Sequence, residues 1–132
     1  MKRLSGLCII TPDVERIRDF YSRVLDVTFD GDAAYASYTS QGIVLSLYPE
    51  DGMEGMAPGS MQGAGRGAYT LEFEVDDVDA EYNRLLGMGI SIVKPPTTQP
   101  WGVRSVWFRD PDGNIVNFLK MMREQPGTEG SN

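Results

Sequence analysis

The chain has 132 residues, 41% of them apolar, the size and composition of one domain with a single core. A formal net charge of −7 disfavours nucleic acid and anionic membrane surfaces, both of which need a basic footprint, and would attract a cationic ligand. Histidine is absent and Cys8 is the lone cysteine, which removes the commonest general base and any Cys/His zinc site and leaves only oxygen donors for a harder metal.

A single cysteine gives no internal disulfide and no sign of an oxidising compartment. The first apolar run, residues 7–10, is followed at once by Pro12, Asp13 and Glu15. It is too short for the core of a signal peptide or for a membrane span. A cytoplasmic protein without membrane or nucleic-acid partners is expected.

Residues 4–25 open with an alternating apolar run, Leu7 and Ile9, and reach the pair Asp13-Val14. Aspartate caps a helix because its carboxylate accepts the free amide hydrogens of the first turn. Ile17, Phe20, Tyr21, Val24 and Leu25 then share one helical face. Strands are expected over 27–30, 33–39 and 43–48.

Residues 49–67, PEDGMEGMAPGSMQGAGRG, carry Gly, Pro and Ser throughout with no periodicity. They read as a linker, or as a lid whose apolar flap would be Met53, Met56 and Met61.

The opening plan then repeats. Leu71, Phe73 and Val75 alternate, Asp77-Val78 starts a helix, and Val78, Tyr82, Leu85 and Leu86 share its face. Gly87 and Gly89 are stop signals. Strands are expected over 90–94, 103–109 and 115–121, with Asp112-Gly113-Asn114 as the turn between the last two. Asp110, Asp112 and Gly113 are read as turn chemistry, and Asp76, Asp77 and Asp79 as charges favoured at a helix N-terminus.

The fold class is therefore α+β: two βαβββ modules forming a concave mixed sheet with helices on its outer face. The expected organisation is one domain, with module one over 1–48, the linker or lid over 49–67, module two over 68–122 and a disordered tail over 123–132. The sheet face without helices must hold a ligand, a partner or the other module. A homodimer covering the sheet edges is expected.

Three segments in order, PDVERIRDFYSRVLD (12–26), EFEVDDVDAEYNRL (72–85) and PPTTQPWGVRSVWFRDPDGNIVNF (95–118), resemble the vicinal oxygen chelate superfamily, which includes glyoxalase I, extradiol dioxygenases and bleomycin-resistance proteins. The resemblance implies a metal held by a His on the first strand of each module and a carboxylate on the last. Carried over, those positions are Gly6, Thr70, Asn117 and, on the last strand of module one, Ser46. Gly6 has no side chain and the others are neutral, so no metal and no other cofactor is expected. The resemblance then points to metal-free binding members that sequester a drug in an acidic, aromatic groove.

With those positions facing the cavity, alternation places Cys8 and Ile10 beside Gly6, and Glu72 and Glu74 beside Thr70. It adds Val44, Ser46 and Tyr48, then Ile115, Asn117 and Leu119, then Val103, Ser105 and Trp107. Trp101 is expected at the mouth, with Tyr35 as a further candidate. The ligand-binding set is thus Cys8, Tyr35, Ser46, Tyr48, Thr70, Glu72, Trp101, Ser105, Trp107 and Asn117, for a small-molecule ligand.

Glu72 is the candidate catalytic residue. A carboxylate on an apolar, aromatic face is costly unless paired or solvated. It would pair with Arg104 or Lys94, recognise a cationic ligand, or act as a general base. Trp107 and Tyr48 would stack on a planar or cationic ligand, or simply fill the core. Cys8 reads as a small, buried, inert hydrophobe. Three functions stay open: a metal-free binding protein for a cationic or aromatic compound, a glyoxalase-family lyase, isomerase or dioxygenase-type enzyme using Glu72 as base or an oxygen-ligated metal, and an interaction module whose cavity is plugged.

Overall fold

The computed structural model describes residues 1–122. The tail expected over 123–132 lies outside them. The chain forms two compact units, residues 1–65 and residues 66 onward, described in turn.

In the first unit the order is β1 (Gly6–Thr11), α1 (Val14–Leu25), β2 (Asp30–Gly31), β3 (Ala36–Ser40), β4 (Ile43–Pro49) and α2 (Glu50–Met56). The sheet order is β1-β4-β3-β2, with β1 parallel to β4 and the other pairs antiparallel. The Asp13 carboxylate caps α1 by accepting from the Arg16 amide at 3.1 Å. Val14, Ile17, Phe20, Tyr21 and Val24 bury the stripe the sequence shows, while Leu25 stays half-buried at its edge. Ile9, Leu45, Leu47 and Ala36, from three adjacent strands, form the other side of this core.

Three expectations change here. The strand expected over 27–30 shrinks to Asp30–Gly31, although Phe29 is buried. The strand expected from residue 33 begins at Ala36, because the Asp32 carboxylate accepts from the amides of Ala34 and Tyr35 and holds that stretch as a turn. The aperiodic segment after β4 contains α2, started by Pro49 and carrying Glu50 and Asp51 in its first turn. From within it the Glu54 carboxylate accepts from the amides of Gly59 (2.8 Å) and Met61 (2.9 Å), which closes the loop and holds the carboxyl's pKa below the ordinary range.

The second unit repeats the plan: β5 (Thr70–Glu74), α3 (Val78–Gly87), β6 (Ile92–Thr98), β7 (Val103–Arg109) and β8 (Ile115–Met121), in sheet order β5-β8-β7-β6. Asp77 caps α3 through the Ala80 amide at 3.0 Å, with backbone angles almost those of Asp13. Gly89, at φ +71°, ends it by letting the Ile90 amide reach back to the Leu85 carbonyl. Val78 and Leu85 are buried and Tyr82 half-buried, but Leu86, expected on the same face, is exposed.

Val106, Phe108, Val116 and Phe118 form the core under α3, with Phe108 and Phe118 edge to face at 4.9 Å between centroids. Strand β6 runs through Pro95 and Pro96 to Thr98, beyond the expected end at 94. It tolerates them because it is the sheet's edge, where missing amide hydrogens cost least, and its pairing with β7 is irregular there. In the β7–β8 turn the buried Asp110 carboxylate accepts from the amides of Asp112 and Asn114 and from Asn114 Nδ2, all at 2.9 Å. The acidic run here is turn chemistry, as its composition suggests.

Candidate functional site

In each unit the helix covers one sheet face and the strand register defines what stands on the other, here called the open face. In the first unit Cys8 lies opposite Ser46 and Ser46 opposite Ser37, with Ile10 opposite Tyr48 one step along. Ser46 is buried and Cys8 is exposed, which corrects the expectation of a buried thiol. The parity of β1 explains this: Ile9 points to the helix and is buried, and Cys8 points away from it on an edge strand.

Tyr35, just before β3, meets Tyr48 edge to face at 6.4 Å between centroids. Helix α2 rests on that ring: a Cβ at Gly52 would lie 2.8 Å from Tyr48 Cζ and Oη. The absence of a side chain at Gly52 is what permits this approach. Sequence reading missed the contact, since only the spacing Tyr48 to Gly52 across a strand-helix junction could have signalled it.

In the second unit Glu72, Asn117 and Trp107 lie directly opposite one another on β5, β8 and β7, and Lys94 of β6 extends the row beyond Trp107. Thr70 pairs with Ile115 one step before, and Ser105 with Leu119 one step after. Glu72 is exposed, and its Oε2 accepts from Asn117 Nδ2 and Thr70 Oγ1, each at 3.2 Å. Its expected pairing with Arg104 does not occur. Arg104 points to the helix side of β7, where it makes a two-pronged ion pair with Asp79 of α3 at 2.7 and 2.9 Å.

That pair holds the Asp79 carboxyl below the ordinary range and raises the guanidinium, chiefly through their hydrogen bonds. Asp79 thus has a specific partner as well as its helix-terminal position. Lys94 makes no ion pair with Glu72 either, since β5 and β6 are opposite edges of the sheet. Lys94's place beside Trp107 could not be read from the sequence because the irregular β6 pairing shifts the alternation.

Asn117 is only 6% exposed and Ser105 only 5%. Trp101, expected at the mouth, sits exposed in the turn between β6 and β7, outside the Glu72–Asn117–Trp107 row. Among the described residues no group of three or more His, Cys, Asp or Glu side chains is placed to hold a metal ion, and no helix is long and apolar enough to cross a membrane.

Two modules of this topology, each with an open face, define a known architecture. Residues 3–118 match the Glyoxalase/Bleomycin resistance protein/Dioxygenase superfamily, and the chain belongs to it. The uncharacterized protein YraH of Bacillus subtilis is 26% identical over 91% of this chain and 99% of its own length. A glyoxalase/bleomycin resistance protein/dioxygenase from Nocardioides shares the fold, with a TM-score of 0.78 at 24% identity over 98% of this chain and 91% of that one. So does a lactoylglutathione lyase from Agrobacterium tumefaciens, with a TM-score of 0.70 at 19% identity over 90% of this chain and 93% of that one.

Proposed function

We propose that this chain is a metal-free small-molecule-binding protein, close in role to the bleomycin-resistance members of its superfamily, that sequesters a cationic or aromatic compound on its open sheet face. Glu72 carries the reading. It is an exposed carboxylate in line with Trp107, held by two neutral partners and, among the described residues, by no cation. Unneutralised charge beside an aromatic face suits a ligand that is itself cationic or has a polarised planar ring.

The donor set supports the metal-free part. At the positions where the family resemblance puts metal ligands stand Gly6, Ser46, Thr70 and Asn117, none with a charged donor. Hard divalent ions take carboxylate oxygens, and softer ones imidazole or thiolate. These four positions do not fit either class. The test is a melting-temperature screen with cationic and planar aromatic compounds. A ligand at about one hundred times its Kd stabilises the folded state by about 2.7 kcal/mol. No upward shift across the panel overturns the reading.

One observation favours an enzyme as a second reading. Both hydrogen bonds to Glu72 fall on Oε2, so Oε1 is without a protein partner among the described residues and is available to take a proton from a substrate. Loss of turnover on a candidate substrate in Glu72→Gln, with binding retained, would support it. Unchanged turnover would remove it.

We also propose a homodimer. β1 and β5 are edge strands of their sheets and their open-face residues Cys8, Thr70, Glu72 and Glu74 are exposed, a surface that a second copy would cover. A monomer mass at micromolar concentration contradicts this.

A further inference from the structure

Two residues at the centre of the second unit's open face each carry a buried polar atom that has no hydrogen-bond partner among the described residues: Trp107 Nε1 and Asn117 Oδ1. The first can only donate a hydrogen bond and the second can only accept one. They belong to residues directly opposite each other on β7 and β8, and they do not bond to one another. Buried polar groups are nearly always paired, because leaving one unpaired forfeits its hydration. A donor and an acceptor left open on directly paired residues therefore suit a group that carries the complementary pair.

The polarity of this pair is fixed by the protein. The Asn117 amide has two possible orientations, but Glu72 can only accept, so Nδ2 must face it, as the 3.2 Å bond shows. Oδ1 is thereby turned away from Glu72 and kept as an acceptor. The indole nitrogen has no alternative role. Glu72 also sets the charge: a carboxylate or phosphate on the ligand would sit beside it without a compensating cation in the Glu72–Asn117–Trp107 part of the row. A quaternary ammonium has no acceptor for Trp107 and no donor for Asn117.

We propose that the group recognised here is an uncharged one with adjacent C=O and N–H, a carboxamide or lactam on an aromatic body. Its carbonyl accepts from Trp107 Nε1, and its N–H donates to Asn117 Oδ1. This rests on the small-molecule reading above and narrows it to the aromatic, uncharged side. It assigns Trp107 a hydrogen-bonding role in place of a purely stacking one, and it assigns Glu72 the role of orienting Asn117.

The test uses the full chain, labelled with 15N, and four probes of one shape: benzamide, N,N-dimethylbenzamide, benzoate and benzyltrimethylammonium. Trp107→Phe assigns the indole N–H resonance, since Trp101 supplies the other. Benzamide is expected to move the Trp107 indole resonance saturably. Dimethylbenzamide, which keeps the acceptor and loses the donor, should bind at least tenfold more weakly, and the two ions should leave the resonance in place.

Glu72→Gln serves as a second variant. Its amide can either accept from Asn117 or donate to it, so Asn117 is no longer held in one orientation, and the preference for benzamide over dimethylbenzamide should shrink. If benzyltrimethylammonium binds at the indole and benzamide does not, the small-molecule reading survives and the amide assignment fails. Equal binding of benzamide and dimethylbenzamide also overturns the assignment. So does an indole resonance that none of the four moves, which would mean that water alone meets these atoms. The wider melting screen then judges the small-molecule reading separately.

Discussion

Asn117 Nδ2 lies 3.2 Å from Glu72 Oε2 across the β8–β5 pairing, joining two residues 45 positions apart in the chain. The bond couples the position where the family resemblance puts a metal-binding carboxylate to a carboxylate on the neighbouring strand. The amide at 117 suits this neighbour because it can donate to it. A glutamate or aspartate there would meet a second negative charge, whereas asparagine meets it with a donor and leaves a buried oxygen without a partner among the described residues.

Asn117→Asp tests this directly. The substitution is isosteric, so packing is preserved, but it replaces the donor with a charge beside Glu72. The variant should be destabilised by about 1–2 kcal/mol at neutral pH. The deficit should vanish as the pH falls through the carboxylate range near 4, where protonation restores a donor. Denaturant unfolding at pH 7 and pH 3.5 reads both numbers. A deficit equal at the two pH values would mean that the charge is not its origin.

The ion pair of Asp79 and Arg104 ties α3 to β7 on the opposite side of the same sheet. Arg104, through its hydrogen bonds, lowers the folded-state pKa of Asp79. The stability it adds is therefore present above the carboxyl's unfolded value and lost as the pH falls through the lower folded value. Asp79→Asn should lower the melting temperature at pH 7, and the difference should shrink progressively as the pH falls through the carboxyl's lowered folded value. Asp79 is largely exposed, so raising the salt concentration should shrink the difference. A salt-independent, pH-independent loss would point to packing instead.

Gly52→Ala probes the contact between α2 and Tyr48. Alanine is favoured over glycine inside a helix by about 1 kcal/mol, so an exposed helix would gain. Here the added Cβ would meet Tyr48 Cζ and Oη at 2.8 Å. The tyrosine ring must give way, so the variant should gain less than an exposed helix would, and in a Tyr48→Ala background the same substitution should become more stabilising. The double-mutant cycle isolates the contact. Additive effects in the cycle would mean that α2 does not rest on Tyr48.

Cys8 is exposed on the edge strand β1. Iodoacetamide should label one thiol per native monomeric chain at a rate close to that of the unfolded protein. Slow labelling that becomes fast on dilution would show that a second copy covers β1. Slow labelling at every dilution would contradict the exposure itself.

Much of this fold is legible in the sequence. The two Asp-Val caps, the helical stripes and the Asp112-Gly113-Asn114 turn act through nearest neighbours, and β7 and β8 fall on the expected residues. Alternation also placed Thr70, Glu72, Asn117, Ser105 and Trp107 on one face, because the strand period is fixed by backbone geometry. What the sequence did not reveal depends on competing local turns and on which partners each strand and helix meets. Asp32 shortens β3 with a local turn that competes with strand formation, and α2 packs on Tyr48. β6 continues through two prolines because it lies at an edge. Glu72 takes Asn117 and Thr70, while Arg104 turns to α3, a choice that the parity of β7 makes and composition cannot.

The central claim is that the open face binds an organic ligand without a metal. Native mass spectrometry with metal analysis tests it most directly, on protein as purified and again after incubation with Mn2+, Zn2+, Ni2+ and Mg2+ followed by desalting. No stoichiometric metal is expected in either sample, with any retained mass belonging to an organic molecule. One metal ion per chain held through desalting, and lost in Glu72→Gln, would contradict it and move the enzyme reading to first place.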